Sequence, residues 1–268
     1  MTDYSAQREK MIEQQIYARG VRDPLVLNAM RKVHREAFVS EEFRHLAYAD
    51  RPLPIASEQT ISQPYIVAYM VEALALKGGE KVLEIGAGSG YAAAVLAELA
   101  GDVYTIERID QLAEKAASAL MDQGYDNVHV LHADGTRGWD EHAPFDAILV
   151  SAGAPSVPES LKAQLAVGGR LVVPVGSNVT AQELIRITRR PKGQFDREDL
   201  ADVRFVPLIG EEGWEAPDKS AEAASPRLVQ ARPRSSESLP GLLARHGETF
   251  QSIDDADLDP MLERIGDA

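Results

Sequence analysis

The spacing of apolar positions along the chain changes character at about residue 80. Before it the repeat is helical. Residues 3–19 set Met11, Ile12 and Ile16 on one side of an amphipathic helix that Gly20 ends. Asp23 and Pro24 read as the N-cap and first position of a second helix, running to about Val33. Glu41 to Ala47 reads as another short helix. Asp50 to Ser62 (DRPLPIASEQTIS) holds two prolines and no helical period, which predicts loop or extended chain. Pro64 then opens an apolar helix over Tyr65 to Leu76, ended by Gly78-Gly79.

From Glu80 short β-forming runs alternate with helical ones. The predicted strands are Lys81–Ile85, Val103–Ile106, Val128–Leu131, Phe145–Val150, Arg170–Val175, Thr180–Arg189 and Leu200–Leu208. Helices fit between them at Ala92–Ala100, Asp110–Gln123 and Pro158–Ala166. This alternation predicts an α/β fold, a seven-stranded doubly wound parallel sheet of Rossmann-like type behind N-terminal helices. The last two strands have no helix between them, so they should form an antiparallel hairpin.

One stretch organises this half, Lys81 to Tyr91 (KVLEIGAGSGY). A strand, a glycine turn and a helix follow without a spacer, which brings backbone and a helix N-terminus close to a ligand. The dinucleotide fingerprint is G-x-G-x-x-G; here Gly86, Gly88 and Gly90 alternate. Glu84 lies two residues before the first glycine. A carboxylate there repels a pyrophosphate and suits an ammonium or a sulfonium. S-adenosylmethionine (AdoMet) carries both, so Glu84, Gly86, Ala87, Gly88 and Gly90 are read as its binding loop. Glu107, at the end of the second strand, fits the two ribose hydroxyls, and Asp134-Gly135, after the third, fits the adenine amino group. An exposed strand-end acid and a plain Asp-Gly turn are the structural alternatives.

Composition narrows the classes. The hydrophobic fraction of 44% is ordinary for a globular protein, and 268 residues are ample for a full core. There is no cysteine, hence no disulfide framework or thiolate chemistry. The six histidines show no metal-ligand spacing, and His129 and His132 read as structural, so no metal is expected. A net charge of −14 argues against nucleic-acid binding. Neither a signal peptide nor an apolar run of membrane-spanning length is evident, which predicts a soluble cytoplasmic protein, read as a monomer. The basic run Arg31, Lys32, His34 and Arg35 reads as a solvated helix face.

Seven blocks resemble the protein-L-isoaspartate O-methyltransferase family, over about residues 5–210. They are FRHLAYADRPLPI (43–55), QTISQPYIVAYM (59–70), VLEIGAGSGY (82–91), ADGTRGW (133–139), FDAILVSAGAPSVPESL (145–161), LAVGGRLVVPVG (165–176) and VRFVPLIG (203–210). The glycine loop is shared by many AdoMet methyltransferases; the Thr-Ile-Ser-Gln-Pro segment ahead of it is far more specific. The resemblance implies a seven-stranded AdoMet-dependent methyltransferase fold, with a family-specific arrangement of the last strands. It also implies methyl transfer to the free α-carboxyl of L-isoaspartyl residues, or to D-aspartyl residues, in damaged proteins. The ester then closes to a succinimide unaided, allowing partial return to aspartate. Ser62 matches the family's active-site serine, and its hydroxyl is expected to bind and aim the acceptor carboxylate. Gln59, Thr60 and Ile61 join it at the cofactor or the peptide backbone, and Phe205 to Leu208 are expected along a peptide groove. Ser62 could equally cap the helix that Pro64 opens. The family often has glycine before Gln-Thr-Ile-Ser; here the residue is Glu58, expected to point to solvent. The alternative reading is an AdoMet methyltransferase for a small molecule.

The predicted division is a methyltransferase domain over 1–210, with a helical substrate-binding region over 1–79 and a core over 80–210, followed by an acidic tail over 211–268. The tail holds 13 acidic and 6 basic residues. Ala216 to Pro240 has linker composition, and 238–250 and 253–265 show weak helical spacing. The segment 238–268 resembles the lead-in to an erythromycin-esterase-like domain of some fused proteins; a plain acidic tail is the alternative.

Overall fold

Asp23 starts the second helix as its spacing predicts: its Oδ1 accepts a hydrogen bond from the Leu25 N–H at 2.8 Å, with Pro24 at the first position. We describe the protein from a computed structural model, which defines residues 4–216 and 226–229. The N-terminal helical stretch is α1 (Ser5–Lys10), continued by a wider π turn over Met11–Ile16 and a tighter turn to Arg19. The wider turn buries Met11, Ile12 and Ile16 together, and Gly20, at φ 108°, ends the run. Helix α2 is Pro24–Lys32. The segment expected as loop contains a small antiparallel pair, β1 (Leu53–Pro54) and β2 (Thr60–Ile61). Helix α3 (Pro64–Leu74) ends at Ala75, in the left-handed region, rather than at Gly78-Gly79.

The core alternates as read: β3 (Lys81–Ile85), α4 (Tyr91–Ala97), β4 (Asp102–Glu107), α5 (Asp110–Asp122), β5 (Val128–His132), β6 (Phe145–Val150), α6 (Glu159–Gln164), β7 (Leu165–Asn178), β8 (Ala181–Arg189) and β9 (Phe195–Val203). Strand β10 (Arg227–Val229) brings the sheet to eight strands among the described residues, in the order β10-β5-β4-β3-β6-β7-β8-β9. Strands β5, β4, β3, β6 and β7 are parallel. The chain turns from β4 on one side of β3 to β6 on the other, so a crevice opens beyond the carboxyl end of β3.

Three expectations need correction. The antiparallel region starts one strand early, at β7–β8. A turn closes there on the Asn178 Oδ1, which accepts from the Thr180 and Ala181 N–H groups at 2.9 Å, leaving no length for a crossover helix. The last predicted strand, Leu200–Leu208, lies earlier, because Phe205 to Leu208 leave the edge and cross the strand ends. Gln182, buried, holds Phe205 there at both its N–H (2.8 Å) and its carbonyl (3.1 Å). The tail also joins the fold sooner than expected. Glu211 and Trp214 donate to the Asp134 carboxylate and the Gly153 carbonyl, and β10 pairs antiparallel with β5 inside the stretch read as linker. The predicted helices at 238–250 and 253–265, and the esterase-like resemblance, lie outside the described residues.

Arg35 departs from the solvated face predicted for its cluster. It is fully buried, its Nε donates to the Ala47 carbonyl at 2.7 Å, and its guanidinium lies 4.7 Å from the Tyr91 ring centroid. Burial lowers its pKa to about 10. It ties the N-terminal layer to the start of α4, while Arg31 and Lys32 stay at the surface, paired to Glu9 and Glu98. Among the described residues no helix is long and apolar enough to cross a membrane, and no group of acidic and histidine residues could hold a metal.

Candidate active site

The glycine turn is fixed from both sides. The Gly86 N–H donates to the Ile106 carbonyl at 2.8 Å, and the Gly88 N–H to Glu107 Oε2 at 3.0 Å. Gly86 has φ 90°, which a side chain would strain, and its backbone lines a cavity of about 260 Å³ at the β3 crevice. Gly90 lies outside that lining. A Cβ there would come within 3.2 Å of Leu120, so this glycine serves the packing of α4 on α5. Gly135 does line the cavity, and a Cβ on it would stand 2.5 Å from Ile85.

Glu84 is the unusual group in the wall. It is fully buried; its Oε2 accepts from the Thr105 hydroxyl at 2.6 Å, and its Oε1 has no partner among the described residues. Burial raises its carboxyl to about 8, opposed by the Thr105 bond and reinforced by Glu107. A buried carboxylate oxygen without a partner, on a cavity wall, fits a cationic ligand group. Glu107 also lines the cavity and is nearly as buried. Its oxygens accept from the Ile109 (2.9 Å) and Gly88 N–H groups, and burial still raises its pKa. A carboxylate has further lone pairs, so capacity for ligand hydroxyls remains.

From the other side β2 and the start of α3 complete the wall. Gln59, Thr60, Ile61 and Ser62 all line the first cavity. Thr60 and Ser62, with Ser151, Val206 and Pro207, also line a second cavity of about 640 Å³, which Tyr65, Tyr69 and Phe205 extend. Ser62 therefore stands where the two cavities meet. The helix cap is Gln63 and uses no side chain, and the Ser62 hydroxyl makes no hydrogen bond among the described residues. It is free for a ligand in either cavity.

Sequence reasoning and geometry diverge at Asp134, which does not line the cavity. Its Oδ1 accepts from the Thr136 N–H (2.9 Å) and hydroxyl (2.8 Å), and its Oδ2 from the Glu211 N–H at 2.7 Å. The carboxylate thus anchors the Glu211–Trp214 clasp, which Glu212 and Trp214 complete at Ser160 and the Gly153 carbonyl. Ser89, Arg108, Ile109, Ser151, Ala152 and Ile209 line the cavity and were not singled out from the sequence. The rule that ligands lie beyond the carboxyl ends of strands at the switch point would have found Arg108 after β4 and Ser151 after β6.

Glu58 is exposed at the cavity rim, with φ 56°. A side chain in the left-handed region costs about 1–2 kcal/mol. Glu58→Gly is expected to gain up to about 1 kcal/mol net of glycine's own entropy, and Glu58→Ala nothing. Urea midpoints of the two variants check this, and equal midpoints would remove the strain argument.

The family model for protein-L-isoaspartate(D-aspartate) O-methyltransferase matches residues 6–213. The chain is 62% identical over 229 residues to protein-L-isoaspartate O-methyltransferase 1 of Rhodopseudomonas palustris (strain HaA2), covering 85% of this chain and 94% of that protein. It is 58% identical over 207 residues to protein-L-isoaspartate O-methyltransferase 2 of Pelobacter propionicus, covering 77% and 92%. A solved protein-L-isoaspartate O-methyltransferase superposes with TM-score 0.70 at 30% identity, over 77% of this chain and 67% of that one. A Plasmodium falciparum structure assigned to the same activity, in complex with S-adenosyl-L-homocysteine, gives 0.66 at 28%, over 78% and 99%. The family match takes in the lining of both cavities and runs to the end of the Glu211–Gly213 turn. The chain belongs to the protein-L-isoaspartate(D-aspartate) O-methyltransferase family and is an AdoMet-dependent methyltransferase.

Proposed function

We propose that Ser62 binds and aims the acceptor carboxylate, with the cofactor in the first cavity and the damaged peptide in the second. The activity is methyl transfer from AdoMet to the free α-carboxyl of L-isoaspartyl residues in damaged proteins, which opens their repair through a succinimide. The observation that carries the Ser62 assignment is its unbonded hydroxyl on the wall common to both cavities.

The acceptor carboxylate is ionised at neutral pH, so no general base is required of the protein. AdoMet, when bound, supplies an electrophilic methyl on a sulfonium. The chain's own task is placement. Glu84 would hold the cationic end of the cofactor and Glu107 its ribose, and the Gly86–Gly88 backbone would allow close approach. Gly135 leaves room beside Ile85. Ser62 donates to the acceptor carboxylate and holds it in line, while Val206 and Pro207 keep water from the junction. The protein is expected to act alone, as a cytoplasmic monomer without nucleic acid; light scattering and cell fractionation check those points.

The test uses AdoMet with a tritiated methyl and two peptides that differ only in an isoaspartyl or an aspartyl linkage. Base-labile label is expected on the isoaspartyl peptide alone. Tight S-adenosylhomocysteine binding with no peptide ester would instead favour the small-molecule reading.

A further inference from the structure

The second cavity does not end at Phe205. It shares Asp202, Val203 and Arg204 with a third cavity of about 910 Å³, bounded by the β7–β8 turn. The second cavity thus shares wall with the cofactor crevice at Ser62 and with the third cavity at Asp202 to Arg204. Arg204 stands on the shared wall of the outer two. Its charge is unlike the others nearby. Arg186 is paired to Glu198, Arg190 to Asp196, and Arg197 to Asp199 and Glu183, while Arg189 donates to the Ala163 and Leu165 carbonyls. Arg204 is exposed and has no partner among the described residues. Its backbone is fixed all the same, because Gln182 clamps the next residue, Phe205, at both polar groups.

We propose that Arg204 is a specificity-determining residue that takes a carboxylate side chain of the acceptor polypeptide, a few residues from the isoaspartyl acceptor. The protein carries a net charge of −14, and Asp202 lies two residues away without an ion pair among the described residues. Arg19 and Arg197 on the same walls are already paired, to Asp50 and to Glu183 and Asp199, so among the described residues an acidic side chain of the substrate meets an uncommitted guanidinium at Arg204. A fixed backbone and a planar donor fork suit that contact better than a lysine on a mobile loop. The proposal rests on the acceptor peptide occupying the second cavity.

The test is a matrix of enzymes and isoaspartyl peptides. Each peptide carries a single Glu, Gln or Lys, walked across about three positions on either side of the acceptor. The enzymes are wild type, Arg204→Lys, Arg204→Gln and Arg204→Glu, with S-adenosylhomocysteine binding as a check of fold. At one or two positions the wild type should show a KM about three- to ten-fold lower for Glu than for Gln, with kcat unchanged and the preference reduced at high salt. Arg204→Lys should keep some of it, Arg204→Gln should lose it, and Arg204→Glu should favour Lys. The same Glu:Gln:Lys ratios in every enzyme, or a wild-type preference for Lys at every position, would overturn the proposal. Absence of ester on all Gln peptides would instead strike at the acceptor reading itself.

Discussion

Ser62→Ala is expected to lower kcat/KM for an isoaspartyl peptide by about ten- to a hundred-fold, the worth of one hydrogen bond to a charged group. Affinity for S-adenosylhomocysteine should stay within about three-fold. The asymmetry follows from position. The first cavity has many walls besides Ser62, including the buried Glu84 and Glu107, so the cofactor loses one contact among several. The acceptor carboxylate loses the unbonded hydroxyl at the junction. Folding should be untouched, because that hydroxyl neither caps α3 nor bonds any described group. Initial rates with the tritiated donor, alongside calorimetric titration of S-adenosylhomocysteine, separate the two effects. Equal losses in both would assign Ser62 to the cofactor cavity alone.

What could be read in the chain beforehand was the chemistry that neighbours in sequence make together. Glu84 and the Gly86–Gly88 turn are one strand and its loop, and their spacing sufficed to reject a dinucleotide. The Gln59–Ser62 run could be placed at the acceptor only through its likeness to a known family. The geometry then added what no local pattern holds, that Ser62 borders two cavities at once.

The departures of the structure from the sequence reading share a cause, which is pairing across long sequence separations. Arg35 looked solvated because its neighbours are charged; its cover is Tyr91, fifty-six positions on, and the Ala47 carbonyl. Asp134 looked like a ligand residue because it follows a strand with a glycine after it. Its partners are at Thr136 and at Glu211, beyond the point where composition suggested that the domain ends. Strand β10 could not be inferred, since three residues of edge strand carry no period and owe their place to the open edge of β5.

Glu84→Gln should show the second large effect, and its pH dependence distinguishes an electrostatic role from a steric one. In the free protein Glu84 titrates near pH 8, whereas the unfolded chain holds that carboxyl near 4.5. The folded state therefore keeps a proton that the unfolded state has lost between those values. Stability from this group is fully present below about pH 4.5 and falls as pH rises to about 8, by at most about 1.4 kcal/mol per pH unit. The glutamine variant has no such slope, so without ligand it should equal or exceed the wild type in melting temperature at pH 8. Cofactor binding should run the other way. An ammonium brought to the unpartnered Oε1 favours the carboxylate, so wild-type binding should release a proton below pH 8 and tighten as pH rises towards it. The variant should bind S-adenosylhomocysteine about ten- to a hundred-fold more weakly at pH 8, with no proton released. Calorimetry in two buffers of different ionisation enthalpy, at pH 6.5 and 8, reads affinity and proton count together. Unchanged affinity, with the same proton count in both proteins, would mean that the cationic group is held elsewhere in the cavity and that Glu84 serves only the Thr105 bond.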